Sequence, residues 1–332
     1  GASLKRVAVF GGAGFIGTNL AYRLIEENRQ VYNFDNLSGS GNLLNIADLM
    51  QKPHHIFARC DVSHADEVRQ ALLTAAVDTI FVTIAPRNKS VEDALEGLKT
   101  FLDSLTLWRN RFVRNPENAQ KIIFLTTRTC KNGFSEKAVQ MIDGYASQGL
   151  PIITLSVPSV FGPFQQPDSP TPFMIYRAIE GESIPVVPEA LIDDPLVSVD
   201  DVVSALLYIE QNGELGKHYR LLPPGSQLSQ LEIANSICDV LNAEVPPPMG
   251  KYQALIDELD APAIQNGISN SWENELIPLQ IENPKEIKAA LNDTVRWYLK
   301  HPAWYSQSRT RFFDLWQDSN NIFNFSGLQK VS

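Results

Sequence analysis

The feature that most limits the fold of this 332-residue chain is a glycine-rich turn between an apolar segment and an amphipathic one. RVAVF (6–10) predicts a buried strand, GGAGFIG (11–17) follows, and Leu20, Leu24 and Ile25 then recur at helical spacing. In this strand–turn–helix context, G-x-G-x-x-G lets the backbone turn tightly and approach a pyrophosphate at the helix N-terminus. The stretch therefore predicts the opening unit of a dinucleotide-binding fold.

Five further apolar segments continue this pattern, and each is short enough to be a strand. They are QVYNF (30–34), HIFA (55–58), TIFVTIA (79–85), KIIFLTT (121–127) and PIITLSV (151–157). Nearly continuous apolar strands that alternate with helical patterns are typical of a parallel sheet covered on both faces. We therefore predict an α/β fold, a Rossmann-type doubly wound parallel sheet with a smaller C-terminal substrate lobe.

An acidic residue at the end of the second predicted strand indicates which dinucleotide is bound. Asp35 lies near the distance from the turn at which a carboxylate takes the adenosine ribose hydroxyls. Its charge would repel the additional phosphate of NADP, and DNLSGSGN (35–42) offers no arginine to receive that phosphate. NAD(H) is therefore the predicted cofactor. The predicted binding residues in the turn and the following loops are Gly11, Gly14, Phe15, Ile16, Gly17, Asp35, Asn36, Ser38, Asp61, Val62 and Ala85.

A loosening of the strand–helix pattern from Gly162 onward sets the predicted domain boundaries. Two proline-rich connectors, FGPFQQPDSPTP (161–172) and VPPPMG (245–250), interrupt the pattern in the second half of the chain. We predict a NAD-binding Rossmann domain over 1–165 and a substrate lobe over 166–332, with residues 192–212 returning to the Rossmann domain.

Asp61, which follows the third predicted strand, has two possible roles. It is placed either to contact adenine or to cap the next helix.

The composition of the chain argues against nucleic acid and membranes as partners. The formal net charge of −10 offers no basic surface to a polyanion, so nucleic acid is not an expected partner. No apolar run is long enough to span a bilayer, so no membrane segment is expected. Cys60, Cys130 and Cys238 lack metal-ligand spacing and indicate free thiols in a reducing compartment. We therefore expect a cytoplasmic protein without a metal site.

GGAGFIG (11–17), DNLSGSG (35–41) and FGPFQQP (161–167) together resemble the extended short-chain dehydrogenase/reductases, in particular the NAD-dependent nucleotide-sugar epimerases and dehydratases. NDTVRWYLKHPAW (292–304) is similar to the C-terminal helix of dTDP-glucose 4,6-dehydratases. The resemblance implies that NAD oxidises a sugar hydroxyl and returns the hydride after epimerisation or loss of water. It also implies a nucleotide-sugar or other small anionic ligand.

The resemblance further implies a homodimer, formed through helices at about 92–112 and 135–148. It implies a catalytic centre as well, in which a tyrosine base has its pKa lowered by a lysine four residues later. A Ser or Thr at the end of the preceding strand shares the hydrogen bond. Thr127 and Lys137 are the predicted catalytic residues on this basis, and Lys137 is also a predicted contact of the nicotinamide ribose.

The chain departs from the family at this centre. If Lys137 is the family lysine, Gly133 stands in place of the tyrosine. A shifted alignment sets Cys130 or a neighbour opposite the tyrosine and loses Lys137, so neither alignment supplies a phenol. Structural roles stay open for Thr127 as a strand-end hydroxyl and for Lys137 as a solvated helix residue.

Two other departures concern dehydration and phosphate binding. Where dehydratases carry Thr-Asp-Glu, this chain has Thr127, Arg128 and Thr129, and an arginine cannot exchange protons at neutral pH. The resemblance implies a diphosphate-binding arginine at or near the position where this chain has Asp193, whose charge would repel phosphate. Two hypotheses follow. One is a divergent NAD-dependent enzyme with a non-standard acid and base, and the other is a pseudoenzyme that senses NAD(H) or scaffolds an active partner.

Overall fold

Two compact units make up the chain. The computed structural model describes residues 5–86, 89–112, 120–127, 133–188, 194–260, 264–266, 270–325 and 328–330. The first unit comprises Gly1–Val157, Val202–Leu222 and Asn270–Ile281, and the second comprises Pro158–Asp201, Pro223–Ser269 and Glu282–Ser332. Four residues named above lie outside the described residues, namely Arg128, Thr129, Cys130 and Asp193. The roles of a NAD-binding domain and a substrate lobe stay predictions.

Strands and helices alternate through the first half of the chain, as the apolar pattern predicts. The strands are β1 (Arg6–Phe10), β2 (Gln30–Asp35), β3 (His55–Arg59), β4 (Thr79–Val82), β5 (Lys121–Thr127), β6 (Ile152–Val157), β7 (Ser159–Phe161), β8 (Ile184–Val186), β9 (Leu196–Ser198), β10 (His218–Leu221), β11 (Ile256–Glu258), β12 (Ile264–Asn266), β13 (Ile277–Leu279) and β14 (Leu328–Lys330). The helices are α1 (Phe15–Glu26), α2 (Ala65–Thr74), α3 (Val91–Phe112), α4 (Phe134–Ser147), α5 (Pro170–Ile179), α6 (Val199–Asn212), α7 (Gln230–Glu244), α8 (Ile287–Lys300), α9 (Pro302–Arg311), α10 (Phe313–Trp316) and α11 (Asn321–Phe325). None of these described helices is both long and apolar enough to cross a membrane.

A parallel sheet of eight strands forms the first unit. Its order is β13–β10–β6–β5–β4–β1–β2–β3, and every neighbouring pair is parallel. From β1 the chain proceeds outward through β2 and β3, and from β4 it proceeds the other way through β5 and β6. Ligands of open parallel sheets bind beyond the carboxyl ends of the strands at such a reversal. The predicted Rossmann-type doubly wound sheet is confirmed.

The central strand β1 shows why its sequence is apolar throughout. Ala8 and Phe10 pack into one core with residues of α2, α3 and α4, where Phe10 stacks on Phe34 with ring centroids 5.0 Å apart. Val7 and Val9 are also fully buried. They point to the opposite face because side chains alternate along a strand. Both faces of β1 are therefore covered.

One strand is shorter than its apolar sequence predicts. TIFVTIA predicts a strand over 79–85, but β4 ends at Val82. Thr83 follows the strand and stays bonded to the end of β1, because its N–H donates to the Phe10 carbonyl at 2.9 Å and its Oγ1 lies 3.2 and 3.3 Å from the carbonyl oxygens of Phe10 and Gly11. Residues 83–86 line the cleft described below.

The second unit is built from short strand pairs and an aromatic core. Strands β7 and β9 pair in parallel, as do β8 and β11, and β12 pairs with β14 in the antiparallel sense. Tyr176 and Tyr298 lie at the centre of the core, with ring centroids 5.4 Å apart. The Tyr298 hydroxyl donates to the main-chain oxygen of Gln165 at 2.7 Å. Burial raises the pKa of both phenols well above the ordinary value.

A buried ion pair lies at the amino-terminal ends of the strands in the large sheet. Arg29, just before β2, donates from Nη1 and Nη2 to the two carboxylate oxygens of Glu210 on α6, each at 2.7 Å. Thr79, the first residue of β4, donates to the same carboxylate at 2.5 Å. Lys121, the first residue of β5, donates from Nζ to the main-chain oxygen of Glu210 at 2.6 Å. Glu210 thus joins α6 to the starts of three strands.

Replacing Glu210 with alanine tests how much the first unit depends on this cluster. Burial raises the pKa of Glu210, but hydrogen bonds from Arg29 and Thr79 and the charge of Arg29 outweigh burial and hold it below the ordinary value. The change leaves Arg29 buried without its counter-charge. We expect the free energy of unfolding at pH 7, measured by urea denaturation, to fall by about 3–5 kcal/mol.

The pH dependence follows from the lowered pKa. The contribution of Glu210 is complete above its ordinary pKa of 4.5 and is lost as the pH falls through the lower folded-state value. The deficit of the Glu210→Ala variant should therefore shrink in acid. Glu214→Ala, at an exposed position after α6, is the matched control and should change stability by less than about 0.5 kcal/mol. Equal losses in the two variants would contradict this account.

Candidate functional site

A cleft at the carboxyl ends of the strands brings most of the predicted cofactor residues together. Its volume is about 360 Å³, which lies in the range of roughly 300–1,000 Å³ found for small-molecule sites. The cleft belongs to the first unit and lies at the reversal between β1 and β4. The predicted residues that line it are Gly11, Gly14, Asp35, Asn36, Ser38, Asp61, Val62 and Ala85.

Other lining residues were missed by the sequence analysis. One group consists of Ala94, Leu98 and Phe101, which form one face of α3. Their helical spacing in the sequence could have indicated that they line the same side of the cleft. A second group follows the strands and carries no comparable signal. It consists of Gly39, Ser40, Gly41, Cys60, Ser63, Thr83, Ile84, Pro86 and Lys89. Two phenylalanines, Phe124 on β5 and Phe134 on α4, complete an apolar wall.

The glycine turn is shaped by the close approach of α1 to the end of β1. A Cβ atom at Gly17 would lie 2.0 Å from the carbonyl oxygen of Gly11 and 2.7 Å from Oγ1 of Thr83. Only glycine allows the first turn of α1 to pass this close. Phe15, Ile16 and Gly17 are buried in that turn and are not among the residues that line the cleft. Their main-chain N–H groups are first-turn donors without an intrahelical acceptor.

The N-terminus of α1 favours an external anion. Its N-cap, Gly14, has no side chain to accept a hydrogen bond, and the first turn of α1 contains no acidic residue. By contrast, α2 carries Asp66 and Glu67 and α6 carries Asp200 and Asp201 in the first turn. Uncapped N–H groups and the helix dipole both attract negative charge. The residues present therefore fit the pyrophosphate of a dinucleotide.

Asp35 ends β2 with its carboxylate against the glycine turn. Oδ2 accepts the N–H of Ala13 at 3.0 Å, and Oδ1 accepts the N–H of Leu37 at 2.8 Å. Burial raises the pKa of Asp35, and these two hydrogen bonds oppose the rise. The carboxylate thus orders the turn and also lines the cleft. Its predicted role toward ribose hydroxyls is compatible with this position and stays a prediction.

Asp61 lies beyond β3 and is held by its own loop. Its Oδ1 accepts the N–H and the hydroxyl of Ser63 at 2.9 and 2.6 Å. Burial raises the pKa of Asp61, but the Ser63 hydrogen bonds and the charges of His64 and Lys89 outweigh it and keep the pKa below the usual value. The N-cap of α2 is His64. Asp61 therefore does not occupy the capping position, and its contact with adenine stays a prediction.

The two predicted catalytic residues lie on β5 and α4, the elements that carry Phe124 and Phe134. Thr127 ends β5, and its main-chain oxygen accepts the Ser135 hydroxyl at 3.1 Å. The Lys137 side chain is exposed on α4. Neither is among the described residues that line the cleft. Their catalytic roles, and the ribose contact of Lys137, stay predictions.

The start of α4 explains the glycine at the aligned tyrosine position. Gly133 is the N-cap of α4 with φ +81°, in the left-handed region that disfavours side chains. The next residue, Phe134, reaches the cleft, and Ala138 follows it one turn later on the buried face. All nine tyrosines fall within the described ranges, and none of them lines the cleft. Tyr145, also on α4, donates instead to Asp103 of α3.

Known proteins resemble the chain over nearly its whole length. The family described as the NAD dependent epimerase/dehydratase family matches residues 7–129 and 137–221. A probable dTDP-glucose 4,6-dehydratase of Sinorhizobium fredii is 23% identical over 340 residues, which cover 93% of this chain and 97% of the relative. The family match is interrupted over 130–136, the segment that contains both aligned tyrosine positions.

Solved structures show the same fold. The dTDP-glucose 4,6-dehydratase from Bacillus anthracis, in complex with NAD, superposes with a TM-score of 0.73 at 20% identity, covering 92% of this chain and 100% of that one. The Bordetella bronchiseptica enzyme WbmF, in complex with NAD+ and UDP, superposes with a TM-score of 0.68 at 18% identity, covering 95% and 98%. At these identities the likeness extends to the fold alone.

Two glycine-to-alanine changes in helices should have opposite effects on stability. In Gly17→Ala the added methyl overlaps the Gly11 carbonyl, so we expect the free energy of unfolding to fall by about 1–3 kcal/mol. In Gly144→Ala, on an exposed turn of α4, the methyl meets nothing within 4 Å. That change should stabilise the protein by about 0.5–1 kcal/mol through helix propensity. Urea denaturation without dinucleotide measures both, and a shared sign would contradict the close-approach argument.

Proposed function

The chain belongs to the NAD dependent epimerase/dehydratase family, and on this premise we propose that it binds NAD(H) in the cleft of its first unit but lacks the family's standard epimerase or dehydratase activity. The observation that carries the proposal is a contrast within one cleft. The end beside α1 keeps the features that suit a dinucleotide, whereas the wall beside α4 presents Phe134 and no phenol among the described residues.

The NAD(H) part of the proposal is supported by the charges around the glycine turn. The uncapped N-terminus of α1 would hold the pyrophosphate, and Asp35 would repel the additional phosphate of NADP. When bound, the nicotinamide would supply hydride acceptance and return. Asn36, Ser38, Val62 and Ala85 line the same cleft and complete the proposed binding set.

The proposed loss of standard chemistry is supported by the chemical nature of the side chains in the wall beside α4. Phe134 carries a hydrocarbon ring, and Gly133 and the exposed Lys137 offer no base to the cleft. Burial raises the pKa of the Cys60 thiol to about 12, so this lining residue stays protonated at neutral pH. The neighbouring segment 128–132 (RTCKN) lies outside the described residues, and its sequence contains no tyrosine.

The substrate and the assembly follow from the family in this proposal. Two of the three proteins named above are described as a probable and a known dTDP-glucose 4,6-dehydratase, and the third was solved with NAD+ and UDP, so the proposed ligand class is a nucleotide-sugar or another small anion. The proposed homodimer would form through α3 and α4, where Leu107 of α3 is 48% exposed. Cys60 and Cys238 are free and buried, which supports the proposed cytoplasmic location.

A second candidate function rests on the same contrast. A protein that binds NAD(H) without converting a sugar nucleotide would serve as an NAD(H) sensor or as a scaffold for an active partner. Co-purification with an active family member would favour the scaffold. A change in oligomeric state between NAD+ and NADH would favour the sensor.

Binding without turnover is the result that tests the proposed function. Calorimetric titration should detect the binding of NADH. The Kd for NADPH should be higher by about tenfold or more, which corresponds to about 1.4 kcal/mol of binding free energy. Incubation with NAD+ and dTDP-glucose or UDP-glucose should produce no NADH absorbance and no altered sugar. An active dTDP-glucose 4,6-dehydratase is the positive control. Absence of NADH binding would refute the cofactor part, and a keto or epimerised sugar would refute the loss of activity.

A further inference from the structure

A buried asparagine lies directly behind the glycine turn. Asn33, on β2, is fully buried. Its Nδ2 donates to the carbonyl oxygen of Gly12 at 3.0 Å and lies 3.1 Å from Nε2 of His55, the first residue of β3. Burying a polar side chain is costly unless it makes hydrogen bonds. These two contacts therefore indicate what the side chain does at this position.

The amide of Asn33 has one acceptable orientation. Rotating it by half a turn would set Oδ1 against the carbonyl oxygen of Gly12, and neither atom has a proton to share. Nδ2 therefore faces Gly12 and offers its second hydrogen to His55. Because Nδ2 can only donate, Nε2 of His55 must accept, which assigns the ring proton to Nδ1. Nδ1 of His55 and Oδ1 of Asn33 are then buried without a hydrogen-bond partner among the described residues. Burial lowers the pKa of His55 to about 4, so a neutral ring at neutral pH agrees with this tautomer.

Asn33 and Asp35 hold opposite ends of the same peptide unit. Asn33 donates to the carbonyl of Gly12, and Asp35 accepts the N–H of Ala13, the next group along the chain, at 3.0 Å. The two residues are two apart on β2 and so lie on one face of the strand. Rotation of the Gly12–Ala13 peptide would break both hydrogen bonds. The plane of this peptide is therefore fixed by β2.

The contact between the turn and β2 leaves no free space. A Cβ atom at Gly12 would lie 2.0 Å from Oδ1 of Asn33. Asn45 holds the following carbonyl, because its Nδ2 donates to the oxygen of Ala13 at 2.9 Å. These side-chain contacts act together with main-chain hydrogen bonds from Gly11 to Phe34 and from Asn42 to Ala13, at 2.7 and 3.0 Å. The turn is thus ordered within the protein itself, which removes a cost that a ligand would otherwise meet on binding.

We propose that Asn33 is a positioning residue of the dinucleotide site. It fixes the Gly12–Ala13 peptide, with neutral His55 fixing the amide of Asn33 in turn, so that the first-turn N–H groups of α1 are held ready for phosphate oxygens. Asn33 acts through the turn and touches no ligand atom. This inference rests on the proposed NAD(H) function and specifies which side chain orders its phosphate-binding end.

Asn33→Asp tests the proposal, because it keeps the size of the side chain and replaces the donor by an acceptor. We expect the Kd for ADP to rise about tenfold or more, which corresponds to loss of a well-ordered hydrogen-bonded turn. The Kd for adenosine, which has no phosphate, should change less than about twofold. Asn212→Asp, at the exposed end of α6, is the matched control and should alter neither. Equal changes for ADP and adenosine, or no change, would overturn the proposal.

His55 provides a second pair of variants that tests the proposal even where Asn33→Asp does not fold. His55→Gln retains an oxygen acceptor and should keep the ratio of ADP to adenosine affinity. His55→Leu removes the acceptor, frees the Asn33 amide to turn, and should lower this ratio. Indistinguishable ratios in the two variants would overturn the role of His55. If the unaltered protein fails to bind NADH, the proposed function falls, and the inference falls with it.

Discussion

The distance between α1 and β1 is the constraint on which the cleft depends. Gly17 allows the first turn of α1 to pass within van der Waals distance of the Gly11 carbonyl. This contact positions the N-terminus of α1, which has no side-chain cap, between β1 and β4, where the direction of the strand connections reverses. A side chain at either position would move the helix and redirect its dipole. The fold and the anion-binding end of the cleft therefore rest on one contact.

The residues predicted to bind the dinucleotide and those predicted to transfer protons belong to different parts of the first unit. The features that suit a dinucleotide are main-chain N–H groups and the carboxylate of Asp35, all within the first β–α–β segment. The predicted proton-transfer residues, Thr127 and Lys137, lie on β5 and α4, and β5 is on the other side of the reversal from β2. A change in α4 can therefore remove acid–base chemistry while the dinucleotide end keeps its geometry.

The local pattern of apolar residues is enough to predict most of the sheet in the first unit. The apolar segments predict the first six strands to within a few residues, because a strand buried on both faces leaves a continuous apolar sequence. The fourth strand is an exception, since β4 ends at Val82 although the apolar sequence continues to residue 85. The glycines and Asp35 were also predictable, because their spacing is set by one β–α–β unit.

What the sequence could not supply depends on contacts between distant segments. Phe124 and Phe134 share the cleft wall only because β5 and α4 meet there, and nothing in the sequence around either residue indicates the meeting. Asn33 reads as one polar residue in an apolar strand until the turn is seen against it. The short strand pairs of the second unit, of three residues each, are below the length at which periodicity is informative.

The left-handed backbone at Gly133 has an evolutionary consequence. Any side chain introduced there would adopt φ +81°, which L-residues rarely tolerate. If position 133 is the family's tyrosine position, a tyrosine restored there would adopt this conformation and strain the start of α4. Return of a phenol would then need a change in the local backbone as well as in residue 133.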